Sequence, residues 1–565
     1  MRERALLFAS IALFVITLGL RADDGASIDE PDDASDPSDP AGAAPQHEDP
    51  SLPPIPRRAE SLHIGRVNVE AGDVFDQEQA SRGFIYRGAN AVHISTREST
   101  VRRFLIFAEG DVYDPAVIAE AERNLRALGL FRSVEIRASE PHDGSVDLTV
   151  RTQDAWTLSI GLSLGSDAGA MHGGVSIGEK NLVGTARQLY FGFAQDADRT
   201  YKSIEFLDPY FVLPYASAHI LYAQTSDGYQ RGLELRRPFY STAAPWAGEA
   251  IYADLKRDEI LYEEGGAESE RFGATRLRVA GSWGLALDAS ALSATRLSLG
   301  LDWRRDRFRA LPGQPPSTLP ADREFRYVFL QYETLLPDFL KWNYVDHDDR
   351  IEDIGLGPRL MVKAGVSPAA FGVARTTGLV EAAGEAGFRA GTNGFVRGRA
   401  TFDTRVASTL ENAHFHGDIW LVRRFETSLR QTFVAHAGVF RGWNLDADEQ
   451  FFMDGTTGMR GYRLRSFEGD RRIVLNLEQR FFSGWQIAGL VSPGFAVFAD
   501  AGLIGSPTRP LRLSQVKTDV GVGLRFAVAW APLNNVFRID AAYALQPDPL
   551  GRKGWLISFS SGQAF

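Results

Sequence analysis

The sequence predicts a small α/β domain followed by a C-terminal transmembrane antiparallel β-barrel, and three observations lead there. From Trp156 onward, strand-like alternation runs to the end of the 565-residue chain without a domain break. Aromatic residues make up 11%, with 36 Phe, 16 Tyr and 10 Trp, and the 55 glycines suit tight turns between many strands. Third, Ala5 to Leu20 is almost wholly apolar, between Arg2 and Arg4 on one side and Arg21-Ala22-Asp23-Asp24 on the other. That pattern reads as a secretory signal peptide, residues 1–22, which would direct the strands to an envelope rather than to the cytoplasm.

Residues 23–60 are dense in Asp and Pro, with too little apolar side chain to form a core; a disordered acidic tether is expected. Residues 61–154 read as the α/β module. Ile64, Val67 and Val69 mark a first strand, and Asp114 stands in the capping position before a helix from Pro115 to Leu128, which Gly129 ends. Val134 and Ile136, then Val146, Leu148 and Val150, mark two further strands joined by a turn at Pro141–Gly144. His63, His93 and His142 are too scattered in the module to form a site.

In residues 155–565 the alternation is regular. Leu297, Leu299, Leu301 and Trp303 alternate with Ser298, Gly300, Asp302 and Arg304; Val396, Gly398, Ala400 and Phe402 alternate with Arg397, Arg399, Thr401 and Asp403. A soluble sandwich turns its apolar face to a dry core, whereas an outer-membrane barrel turns it to lipid and its charges to a wet lumen. Periodicity alone fits both. The leader, the unbroken run of strands, the aromatics and the terminal Phe565 favour the barrel, which must close because unpaired edges cannot cross lipid. Acidic loops at Tyr262–Glu268 and Asn343–Glu352 lack the spacing of a calcium loop and are expected to be solvated.

Several classes are excluded. There is no cysteine, hence no disulfide, thiolate metal site or cysteine nucleophile. Net charge is −11 without a basic block, which argues against nucleic acid. No Gly-rich loop ending in Gly-Lys-Ser/Thr implies a nucleotide. No G-x-S-x-G elbow is present, and His172, His347, His414, His416 and His436 have no evident partners; His414 and His416 share a strand face and are expected to line the lumen or surface. The reading is of a protein that is not an enzyme and uses no metal or cofactor.

Three segments carry a resemblance. Gly110 to Ala138, GDVYDPAVIAEAERNLRALGLFRSVEIRA, resembles a POTRA module. Glu179 to Phe191, EKNLVGTARQLYF, and then Phe206-Leu207-Asp208-Pro209-Tyr210 resemble a barrel entrance. Most specific is Met459-Arg460-Gly461-Tyr462, followed by Phe498-Ala499-Asp500-Ala501-Gly502. Together they are similar to the BamA/TamA-like superfamily of outer-membrane assembly and translocation proteins, over about Leu62 to Phe565.

The resemblance implies a periplasmic POTRA-like module at 61–154 and an outer-membrane barrel of sixteen strands, with residues 451–470 folded into the lumen. It pairs Arg460 with Asp500, gives Tyr462 to the motif loop, and has Gly461 and Gly502 permit close approach. A weak seam between first and last strands, near Trp156 and Trp555, would face the client. Counting alternating segments gives about fifteen strands before the motif loop and five after it. The function implied is outer-membrane protein insertion or protein translocation. Its partners would be unfolded outer-membrane or secreted clients, outer-membrane lipid, and periplasmic or lipoprotein accessory factors. The alternatives are a passive channel or structural barrel, or a dedicated exporter of one secreted partner.

Overall fold

The computed structural model describes residues 62–74, 93–167, 170–313, 319–346, 352–425, 430–487, 491–528, 536–561 and 563–564. The expected leader and tether, His347 and Phe565 lie outside them.

The N-terminal domain is built from β1 (His63–Gly72), α1 (Glu98–Phe104), α2 (Pro115–Ala127), β2 (Phe131–Ala138) and β3 (Ser145–Asp154). Strand β3 lies in the middle, parallel to β1 and antiparallel to β2. Pro115 starts α2 because it needs no hydrogen bond there, and the Asp114 carboxylate accepts from the Ala116 N–H at 2.8 Å. Gly129 takes φ +63°, the left-handed turn that ends the helix. Val69, Leu125, Leu148 and Val150 bury one face of the helices on the sheet. His93 sits 2.9 Å from Asp154, both buried, so it is a fixed part of this domain rather than a ligand in waiting.

Beyond Asp154, the described residues form one antiparallel sheet of twenty strands in circular order, from Leu158–Asp167 to Trp555–Ser561. Among them, fifteen precede the motif loop and five follow it. The described residues thus show twenty strands where the resemblance implies sixteen.

The alternation is the inverted kind. Leu301 is 62% exposed and Trp283 54%, whereas Asp302 is 1% exposed. On Arg471–Phe482, Ile473, Leu475 and Leu477 face out while Asn476, Glu478 and Arg480 are buried inside. The outward apolar band is what lipid requires, and the inward charges are matched to one another across the lumen. No helix among the described residues is long and apolar enough to cross a membrane. The α/β domain lies at the mouth where the first strand begins, here called the near mouth.

Candidate functional site

The lumen is occupied from the far mouth by the long connection after Arg430–Trp443. It enters through two short strands, Phe452–Met453 and Phe467–Glu468, paired with each other. Between them a helical turn, Gly455–Thr457, is capped by Asp454, whose carboxylate accepts from the Thr456 N–H at 2.9 Å. Gly458 at φ +101° then reverses the chain and aims Arg460 at the wall.

Arg460 is 3% exposed. Its Nε and Nη2 each donate to Asp500 at 2.8 Å, a two-pronged pairing, and its Nη1 donates to Glu478. The guanidinium also lies 3.5 Å from the centre of the Phe498 ring. Burial works against its charge, but Asp500 and Glu478 outweigh that and hold Arg460 protonated beyond its ordinary range. Asn476 donates to Asp500 at 2.8 Å and to the Gly458 carbonyl at 2.6 Å, fixing carboxylate and loop together.

The neighbours explain the residue types. A Cβ on Gly461 would lie 2.6 Å from the Asp519 Cβ, and one on Gly502 would meet the sulfurs of Met453 and Met459 at 2.6 and 2.7 Å. Tyr462 is buried, its hydroxyl 3.2 Å from the carbonyls of Thr518 and Gln546, and burial with Asp519 nearby pushes its pKa up to about 12. Thus Arg460, Gly461, Tyr462, Asp500 and Gly502 come together at one place. Trp156 and Trp555 do not. Trp156 precedes the first strand at the near mouth, tilted against His93 at 6.4 Å, while Trp555 opens the last strand at the far mouth beside Tyr543. Among the described residues the seam between these strands has one registered pair, Phe559 opposite Ser166.

Sequence reading missed much of what holds this loop. Asp448 receives Arg323 at 2.8 Å and Arg276 at 3.0 Å. Glu449 meets His414 at 2.9 Å, and the other nitrogen of His414 lies 3.0 Å from Asp403. His414 is therefore buried and paired on both sides. The Tyr262–Glu268 loop is not simply solvated, since Glu264 accepts from Arg509 at 2.6 Å and from the Glu468 N–H at 3.2 Å. The signal for these contacts was only the sign of scattered charges, which cannot indicate partners two hundred residues away.

A second loop enters from the near mouth. Phe339–Trp342 and Glu352–Gly355 form a hairpin whose Trp342, Val345 and Leu356 pack against inward-facing Phe395, Val422 and Val434. Expected as solvated, this acidic loop is instead buried at Tyr344, Val345 and Glu352. Glu352 accepts from the Val345 and Asp346 N–H groups at 3.0 Å each, folding the hairpin onto itself.

The α/β domain is joined to the same mouth by the entrance segments. Asn181, fully buried, donates to Thr96 at 2.8 Å and to the Ile94 carbonyl at 3.1 Å. Gly184 at φ +75° passes so near the domain that a Cβ would lie 2.5 Å from the Ser95 carbonyl. Tyr210 stands edge-on to Phe104, and Glu120 accepts from Thr242 through both its N–H (2.6 Å) and its hydroxyl (2.7 Å).

Comparison with known proteins finds the following similarities. Residues 86–153 match the POTRA family, described as a surface antigen variable number repeat. Over 96 residues the chain is 33% identical to the outer membrane protein assembly factor BamA of Neorickettsia risticii (strain Illinois), a match covering 17% of this chain and 13% of that protein. Among solved structures, CdiB from Acinetobacter baumannii is 11% identical at TM-score 0.47, covering 88% of this chain and 73% of that one. CdiB from Escherichia coli is 10% identical at 0.45, covering 99% and 97%. BamA from Haemophilus ducreyi lacking POTRA domains 1–3 is 13% identical at 0.37, covering 89% and 84%.

Proposed function

We propose that the chain is a BamA/TamA-like protein, a POTRA domain followed by a β-barrel, that assembles or translocates proteins at an outer membrane. The near mouth then faces the periplasm, and the POTRA domain receives unfolded outer-membrane or secreted clients there. An exposed strand edge such as that of β2 offers backbone N–H and C=O groups to an extended chain, a mode with little side-chain selectivity. Among the described residues the first and last barrel strands share one registered pair, so this is the place where the wall parts most easily for a client strand. Arg460 and Asp500 are structural in this reading: they set the depth of the motif loop, and no reacting group is required. Outer-membrane lipid surrounds the apolar band, and accessory periplasmic or lipoprotein factors dock on the POTRA domain.

The observation that carries this reading is the combination of a POTRA domain with a lumen filled by the chain's own buried loops. A passive channel needs an open lumen; here Arg460 is locked across the far half and Trp342 is packed into the near half. The test is the outer-membrane protein inventory after depletion, with Arg460→Ala as complement. Broad loss of barrel proteins, unrescued by the variant, is expected. Loss of a single surface or secreted protein would mark a dedicated exporter, and an unchanged inventory would overturn the proposal.

A further inference from the structure

The hairpin at the near mouth touches both the lumen and the POTRA domain, and its two sets of contacts differ in kind. Inside the barrel it is wedged. Trp342 lies between the Phe395 ring at 5.5 Å and the Arg424 guanidinium at 4.4 Å, and Arg424 also donates to the Asn343 side chain at 2.8 Å. Thr432 donates to the Tyr344 carbonyl. At its tip, Arg480 donates to the Val345 carbonyl at 2.9 Å and to Asp346 at 2.6 Å, and Gln563 near the C-terminus donates to the Asp346 carbonyl at 2.7 Å.

On the other side the hairpin is held by one face of α2. Arg126 donates through Nε to Asp353 at 2.8 Å, with side chains 3% and 0% exposed. Arg123 lies 4.2 Å from the Phe339 ring centre, and Lys341 stands 3.6 Å from Glu122. A buried arginine–carboxylate pair between two separately folded parts holds only while both are in place; either group left alone is a desolvated charge. The second oxygen of Asp353 is buried with no hydrogen-bond partner among the described residues, so Arg126 is its main compensation.

The geometry points to a POTRA-latched plug: the hairpin arms, residues 339–346 and 352–355, close the near half of the lumen, and docking of α2 through Arg126 and Asp353 keeps them there. Moving the domain away unpairs Asp353, which favours withdrawal of the hairpin toward water and opens the near mouth. The contact chain continues past the tip, because Arg480 also donates to Glu478 at 2.9 Å and Glu478 receives Arg460. The plug and the far-mouth loop thus share one wall strand, which gives the domain a physical route to the motif loop. The inference rests on barrel and domain geometry alone and does not depend on which client is handled.

The native chain has no cysteine, so single thiols report directly on the plug. Val434→Cys places one beneath Trp342 and Val345; Val474→Cys places one beneath Met453 and Met459 of the far loop. The full-length protein in lipid nanodiscs is treated with a charged maleimide, and folding is checked by heat-modifiable gel mobility. Position 434 is expected to be protected in the otherwise native chain and to react about tenfold faster or more with Arg126→Ala, which leaves the Asp353 carboxylate buried and unpaired, while position 474 stays protected. Arg126→Gln must give the same result and serves if the first variant fails to fold; both leave the barrel sequence intact. Rapid labelling of position 434 in the otherwise native chain would overturn the plug. Unchanged protection in both folded latch variants would overturn the latch, and equal acceleration at 434 and 474 would show general loosening in its place.

Discussion

Two loops enter one lumen from opposite mouths, and they are held by different physics. The far loop is fixed by charge. Arg460, Asp448 and Glu449 each find buried partners on the wall, and a short sequence, Met459 to Tyr462, contains its key. The near hairpin is fixed by packing, with Trp342, Val345 and Leu356 in an apolar cluster, and by a separate domain through Arg126. The first depends only on the barrel; the second depends on where the POTRA domain sits. A loop locked within one body is suited to setting register, and a loop shared between two bodies is suited to responding to one of them.

Substitutions can break this contrast at either end. The largest effect is expected for Arg460→Ala, which leaves Asp500 buried without its cation, while Glu478 keeps Arg480 and Arg525, and costs about 3–5 kcal/mol, read as a lower urea midpoint for loss of the heat-modifiable form. Arg460→Lys keeps the charge but not the fork, and its midpoint should fall between the two. At the near end, Asp353→Asn should change barrel stability less, because its partner belongs to the domain; the loss should appear as faster protease cleavage between domain and barrel.

Finer changes sharpen the picture of the far loop. Gly461→Ala drives a Cβ against the wall-mounted Asp519 and should cost about 1–3 kcal/mol, whereas Gly502→Ala meets only flexible methionine ends and should cost less in the same titration. Tyr462→Phe removes one hydroxyl from two carbonyls, a change of about 1 kcal/mol. The smallest effect lies in the domain. The Arg66 N–H and then its guanidinium hold the Asp147 carboxyl below its usual range. That contribution is complete above the ordinary aspartate value of about 4 and is lost as pH falls through the lower folded value. The hydrogen-exchange protection of β1 in the full chain, relative to the unfolded rate at each pH, should therefore fall on acidification, and Asp147→Asn should flatten that dependence.

The unequal legibility of the two loops has the same origin. Arg460 and Asp500 could be paired from sequence because each sits in a short recognisable segment. The near hairpin could not. Its Asn343 and Asp346 look like solvated polar loop residues, and their partners Arg424, Arg480 and Gln563 lie far along the chain. Strand alternation located the wall, since its period is local and needs no distant partner. The latch between Arg126 and Asp353 joins positions 227 apart, with no local pattern to announce it.

Reconstitution tests the assembly role most directly. An unfolded outer-membrane barrel is presented to lipid vesicles holding the full-length protein, and its folding is followed by heat-modifiable mobility. Faster client folding than in empty vesicles is expected, with the gain lost in a folded Arg460→Ala variant. Client folding at the rate of empty vesicles, with the native protein itself intact, would contradict an assembly role.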